Sequence, residues 1–445
     1  MKMAKNKIPS VPAVQFLVHS AQILKNPLPF HHKNFETKGD TFRLKLGLGK
    51  SVIFSRDAGL AQYALQKNHR NFKKSPIQTR DLVKYVGHGL LTSEGELWQK
   101  QRKLIQPAFH KKQLVNLLDT IQDAIKTELS NIETGAPNDI FPVFNNLAFQ
   151  TVVKSLFSSA VNQKEINRLQ QITEAAQKML VKELRQPYLG WWFTLSGQIK
   201  KHRLEADEAR NILKKLVDER KQSEKREDDL LDMLLDARYE DGSAMADEQL
   251  IDEILILFTA GHETTSNALT FTCELLARNP QIQEKLYAEI VEAKANSESL
   301  MDFIKNCSFT KNVIEESLRL YPPAYFIDRV NIEEDEFDGM IFPKESSLLF
   351  SLLEIHTNPA YWENPQEFKP ERFSNVSTSH FSGQYFPFGA GPRMCIGNNF
   401  AMYEMILAIA EIIKTYKISK KNTPIEIKPL ITLKPKNAIL EFNFR

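Results

Sequence analysis

The sequence predicts a mainly α-helical protein with a smaller β portion, on three observations. Between about residues 96 and 320, apolar side chains recur at spacings of three and four and glycines are few, which is the period of amphipathic helices. Inside that span, Asp247 to Asn279 contains no proline until Pro280. This predicts one continuous helix of about 45 Å capped by Asp247, and a helix that long with an apolar centre has to cross the middle of the protein. Outside the span the pattern changes to alternation: Phe42, Leu44 and Leu46 are interleaved with Thr41, Arg43 and Lys45, the period of a half-buried strand.

The elements follow in order. "TFRLKLGLGKSVIFS" (41–55) reads as a β-hairpin around a Gly-Leu-Gly-Lys turn. The helical span comes next, and within it "KKLVDERKQSEKREDDLLDMLLDARYEDGS" reads as a solvated connection between helices. Beyond Pro322 short strand-like segments take over, including "EFDGMIFPKESSLLFSLLEIH". A last helix runs from Asn398 to Tyr416, and the tail reads as strands. The β-rich parts are therefore about 35–70 and 320–390 plus the C-terminal strands. With neither an internal repeat nor a flexible linker, residues 1–445 read as a single domain.

Composition narrows the function. A formal charge of +3 on 113 charged side chains gives no case for nucleic acid. Cys273, Cys307 and Cys395 are odd in number and far apart, which excludes a disulfide framework and a structural zinc site and fits a reducing cytoplasm. The N-terminal stretch is interrupted by Pro9, Pro12, Gln15 and His19, so neither a signal core nor a membrane span of about 20 apolar residues is expected there or later.

Chemistry concentrates in a few motifs. "FPFGAGPRMCIG" (386–397) sets Cys395 among glycines just before a helix. Cysteines of this kind are usually structural. Here, however, glycines allow close backbone approach, and unpaired N–H groups at a helix start favour thiolate. Together these suit an axial haem ligand. In "WQKQR", Trp98 and Arg102 are four apart and share a helix face. "AGHETTS" (260–266) lies midway along the long helix. Its Ala260 and Gly261 leave room for a bulky partner, and Thr264 can bond back to a carbonyl and loosen the turn. His262 reads as incidental. "EESLRL" puts Glu316 and Arg319 on one helical face, and "PERF" supplies Arg372.

With Phe388, Gly391, Arg393, Cys395 and Gly397 in the pattern FxxGxRxCxG, these five motifs in this order resemble the cytochrome P-450 family of haem-thiolate monooxygenases, over almost the whole chain. The resemblance implies an α-helical prism around a buried haem b, with Cys395 as iron ligand and Ala260, Phe388 and Gly397 against the haem. Trp98, Arg102, Arg329 and Arg393 would bind its propionates. Glu316, Arg319 and Arg372 would form a buried network bracing the cysteine loop, with backbone carbonyls sharing the excess positive charge. Thr264 and Glu263 would relay protons to dioxygen, the co-substrate.

The chain ends about fifty residues past Cys395, which leaves no room for a fused reductase. Electrons are therefore expected from a ferredoxin and its NAD(P)H-dependent reductase, docking on Lys100, Lys103, Lys111 and Lys112 of a monomeric enzyme. For substrate the resemblance points to a pocket lined by Tyr85, His88, Leu91, Leu257, Tyr325 and Phe326, with Arg80, Asp81, Gln186, Tyr188, Trp191 and Trp192 nearby. Such polar and aromatic groups suit oxidative O-demethylation of a small methylated sugar such as 6-O-methyl-galactose, with release of formaldehyde. Fatty-acid hydroxylation is the alternative. A non-oxygenase isomerase of the same fold and a haem sensor are remoter readings, since the acid–threonine pair is kept and no output domain is visible.

Overall fold

The central helix spans Asp247–Arg278 in a computed structural model that describes residues 7–47, 49–158, 162–186, 189–223, 225–374, 383–420 and 423–445. Its residues are buried along most of its length, including polar ones such as Asn267, Thr270 and Thr272. Asp247 does not cap it: the capping position is Ala246, with no side-chain bond. Asp247 is instead the first helical residue, where its carboxylate still meets the positive end of the dipole, and it pairs with Lys221. At the other end Pro280 opens the next helix, Pro280–Ala295, using the position where a missing N–H costs nothing.

The Phe141–Phe157 helix lies across the central one. A Cβ at Gly261 would sit 3.0 Å from Val152 Cγ2, so glycine permits the close crossing. Phe149 and Phe157 stack on Phe258, with centroids 5.7 and 5.9 Å apart. Further helices, Ser308–Leu320 and Asn398–Thr415, pack against the same rod from other sides.

Most of the β portion is a six-stranded mixed sheet; among the described residues three smaller sheets accompany it, two of them built with C-terminal strands. Its strands are β1 (Ser10–Val11), β2 (Thr41–Gly47), β3 (Lys50–Ser55), β4 (Phe72–Lys73), β5 (Phe326–Asn331) and β6 (Ser347–Ser351), in the order β1-β2-β3-β6-β5-β4. The predicted hairpin is present as the antiparallel β2–β3 pair, with Phe42 opposite Phe54; Leu48, in its turn, lies outside the described residues. Three sequence expectations need correction. Residues 58–71 are largely short helical turns rather than strands. Leu352–His356, expected as strand, is helical, with Ser351 capping it. The charge block is not wholly solvated: Arg220 is buried against Asp229 at 2.8 Å and Asp232 at 3.0 Å. Among the described residues no helix is long and apolar enough to cross a membrane.

Candidate active site

The cysteine loop is built by short-range turns. The Gly389 N–H donates to Phe386 O at 2.9 Å, Met394 to Gly391 O at 3.0 Å, and Cys395 to Phe388 O at 2.9 Å. Gly389 and Gly391 have φ of +74° and +69°, the left-handed region that glycine tolerates. At Gly391 a Cβ would also lie 2.0 Å from Leu65 O, so no other residue fits. The Asn398–Thr415 helix starts directly after the loop. Cys395 is open on one side although protein surrounds it on the others. Burial pushes its thiol up, while the Gly397 N–H and the Arg102 guanidinium pull it down. The helix-start N–H thus favours thiolate against burial; a bound metal ion deprotonates a coordinating thiol outright.

Four basic or aromatic groups surround the loop. Trp98 and Arg102 are half-buried on the Gly95–Ile105 helix, and Arg102 Nη1 donates to Met394 O at 2.8 Å. Arg393 stacks on Trp98, Cζ lying 4.9 Å from the ring centroid, and donates from Nη1 and Nη2 to both oxygens of Glu94 at 2.5 Å. Ile327 Cδ1 would lie 3.7 Å from a Cβ at Gly389, so β5 runs beside the loop, and alternation puts Arg329 on the same strand face. Arg329 is buried, and Nη1 donates to Asp328 O at 2.7 Å. Burial lowers its pKa to about 10, and among the described residues no carboxylate is ion-paired with it. A buried guanidinium without a carboxylate is costly and fits an anionic ligand group.

The central helix supplies the facing surface. Along its buried middle, Leu257, Gly261 and Thr264 are only partly covered and Ala260 is exposed. Positions i, i+3, i+4 and i+7 form one stripe, so one face of an otherwise enclosed helix borders open space. Thr264 Oγ1 donates to Ala260 O at 2.7 Å. Glu263 turns away from this stripe and, with His262, Glu174 and Lys434, lines a small cleft; its Oε2 has no partner there. His262 is buried, with Nδ1 2.7 Å from Phe258 O.

The predicted ion network is assembled on the Ser308–Leu320 helix. Glu316 and Arg319 are both fully buried and paired at 2.7 and 2.9 Å. Arg372 Nε reaches Glu316 at 3.1 Å, and the Lys369 N–H adds a bond at 3.0 Å. Carbonyls of His356, Pro365 and Glu367 accept from Arg319, and that of Asn364 from Arg372.

Several of the polar groups expected at the pocket are bonded within the protein or face solvent. Tyr85 is buried, and its hydroxyl donates to Glu183 at 2.5 Å. The Tyr325 hydroxyl donates to Leu430 O at 2.7 Å. Phe326 belongs to an aromatic cluster with His31, Phe54 and Tyr325. Arg80 points to solvent beside Asp81, and Trp191 and Trp192 are exposed. His88 is exposed too, and its N–H donates to Asp252. Tyr188 lies outside the described residues. Leu91 and Leu257 are half-buried against the main core and remain available. Sequence reasoning missed Glu94 and Lys74. Glu94 stands just before the Trp98 helix, but nothing local marks a partner 299 residues away.

The surroundings of Cys395 fit a flat, anionic iron cofactor: an open sulfur, glycines beside it, a helix stripe of small residues, and arginines with spare donors. Comparison with known proteins agrees. The chain is 29% identical to cyclooctat-9-en-7-ol 5-monooxygenase of Streptomyces melanosporofaciens, over 91% of this chain and 88% of that one. It is 27% identical to pentalenene oxygenase of Streptomyces avermitilis, over 92% and 90%. Among solved structures, a retinoic acid-bound cyanobacterial CYP120A1 superposes with a TM-score of 0.84 at 25% identity, covering 99% and 100% of the two chains. The Cytochrome P450 family model matches residues 8–442, and the chain belongs to that family: it is a P450 monooxygenase, an oxidoreductase that uses haem with a cysteine thiolate ligand and dioxygen.

Proposed function

We propose that Cys395 is the thiolate ligand and that the enzyme inserts oxygen into a C–H bond of a largely apolar substrate held against the central helix. Bound haem with a thiolate ligand supplies the chemistry of O–O cleavage. The observation that carries the reading is the pair of open surfaces in buried surroundings, Cys395 on its loop and the Leu257–Ala260–Gly261–Thr264 stripe. Arg102, Arg329 and Arg393 would hold the haem carboxylates, with Trp98 flat against Arg393, and Phe388 and Gly397 would flank the thiolate. Thr264 would hold water at the open face. Glu263, in the cleft behind, would pass protons to it from solvent.

The stripe is apolar apart from Thr264, which supports an aliphatic or alicyclic substrate, and the names of the two Streptomyces relatives support the same class. The O-demethylation of a methylated sugar expected from the sequence has lost its support, because the hydroxyls of Tyr85 and Tyr325 are already committed. A fatty acid meets the apolar demand, although Arg80 at the expected mouth is paired with Asp81. Electrons would come from a separate ferredoxin and its NAD(P)H-dependent reductase, with residues 1–445 forming one cytoplasmic, monomeric haem domain.

The test has two arms. Cys395→Ser should abolish the red-shifted Soret band of the ferrous carbonyl complex, whereas Cys273→Ser and Cys307→Ser, both at buried sites, should keep it. An unchanged band in Cys395→Ser would remove the ligand assignment. Spin-state titration with cyclic alkenes, fatty acids and methylated monosaccharides should give tight shifts with the first or second class. Tight shifts with the sugars alone would return the substrate to O-demethylation.

A further inference from the structure

Arg393 is expected, on the reading above, to face a haem carboxylate, yet one edge of its guanidinium is already filled. Nη1 and Nη2 donate to the two oxygens of Glu94, each at 2.5 Å, and the flat face rests on Trp98. Glu94 is the capping position of the helix that carries Trp98, so one helix start grips the arginine along an edge and on a face. Glu94 is itself fixed. Its Oε1 accepts the Lys74 N–H at 2.5 Å. The Lys74 ammonium is buried and donates to Leu90 O at 2.8 Å and Ser93 O at 2.9 Å, which ties down the turn leading into the helix. This places the Lys74 amine, whose pKa burial lowers to about 7 against the pull of Glu94, close to the carboxylate.

A guanidinium has five N–H donors in a rigid plane. End-on pairing with Glu94 uses two of them, one on each Nη, and leaves Nε–H and the outer Nη hydrogens free. Because the plane cannot flex, holding one edge aims the others.

We propose that Glu94 is a positioning residue for the cofactor: it holds Arg393 end-on so that the remaining donors meet a haem carboxylate, and its fixed negative charge lowers the haem reduction potential. This rests on the assignment of Arg393 to the haem edge. A residue that merely competed with haem for Arg393 would have the opposite effect on affinity, which makes the two roles separable.

The experiment uses the haem-loaded enzyme and reads haem transfer to apomyoglobin, the midpoint potential, and the propionate modes in resonance Raman spectra. Glu94→Ala should release haem about tenfold faster or more, the loss expected for charge-assisted bonds, and should shift the propionate modes. Glu94→Gln keeps an acceptor but no charge. It should raise the potential with a smaller gain in release rate, and Glu94→Asp should restore the wild-type potential. Release from Glu94→Ala that is unchanged or slower would overturn the proposal, as would propionate modes and potential indifferent to all three variants. Arg393→Leu separates the underlying assignment: if it leaves the propionate modes unmoved, Arg393 does not meet the haem, whatever Glu94 does.

Discussion

Arg319 donates from Nε and Nη2 to the two oxygens of Glu316, at 2.7 and 2.9 Å, with neither side chain exposed to solvent. The pair lies within one turn of one helix, but its remaining bonds go to the segment 356–372. That segment leads toward the cysteine loop, and His356 Nε2 accepts the Phe386 N–H at 2.9 Å. Arg319→Leu would leave the Glu316 carboxylate buried with only Arg372 and the Lys369 N–H, at a cost of about 3–5 kcal/mol. Urea unfolding should register that loss, and purified protein should carry much less haem per chain. Wild-type stability and haem content in this variant would mean that the network does not brace the loop.

How much of this was legible beforehand depends on the range of the interaction. The Glu316–Arg319 pair is an i,i+3 contact and the Leu257–Thr264 stripe a helical period, so both follow from local spacing. The helix end at Pro280 and the β2–β3 hairpin follow from single residues with strong backbone preferences. Glu94 with Arg393 and Tyr85 with Glu183 are different: each partner looks like an ordinary surface residue until the fold brings the other to it. The same holds for the expected polar pocket: the sequence does not show which of its groups point inward, and the hydroxyls of Tyr85 and Tyr325 are bonded within the protein. The β-rich expectation for about 35–70 holds at the hairpin, where alternation is clear, and not at 58–71, where short helical turns follow it.

Glu253 gives the chain a pH dependence of defined sign. It is buried on the central helix, where its Oε2 accepts the Leu90 N–H at 2.8 Å and its Oε1 accepts from Gln249 at 3.0 Å. Burial, with Asp252 adjacent, raises its pKa to about 7 against the opposing pull of those bonds and of Lys74. A carboxyl whose folded pKa is raised contributes stability below its unfolded value and loses it as pH rises through the folded one. Wild-type stability should therefore fall between about pH 4.5 and 7 by a term on the order of 3 kcal/mol. Glu253→Gln should flatten that part of the curve, as read by urea denaturation at several pH values. An identical slope in the variant would show that other groups set it.

Thr264 sits on the open stripe with its hydroxyl bonded to Ala260 O at 2.7 Å. Thr264→Ala removes the one hydroxyl of that stripe without touching the core, so haem and substrate binding should persist. Reducing equivalents should instead be diverted to hydrogen peroxide, with product per NAD(P)H falling on the order of a hundredfold, the low end of what a lost proton-transfer group costs. Peroxide and product measured in one reaction decide it. Coupling as tight as in wild type would remove Thr264 from proton delivery.

Lys100, Lys103, Lys111 and Lys112 are exposed. Arg102, on the same helix as the first two, donates to Met394 O, next to Cys395. Lys103 is partly neutralised by Glu240, which leaves the other three to carry most of the positive field. An acidic ferredoxin approaching this face would be steered by charge, and exposed charges are screened beyond about 8–10 Å at moderate ionic strength. Stopped-flow reduction by ferredoxin should therefore slow as salt is raised. Reversal of Lys100, Lys111 and Lys112 to Glu should slow it further and weaken its salt dependence, while Lys103→Glu alone should have the smallest effect. Because the four residues lie outside the core, their haem spectra should match wild type, so a slower rate would report docking rather than folding. A rate indifferent to both salt and charge reversal would move the docking site to another face.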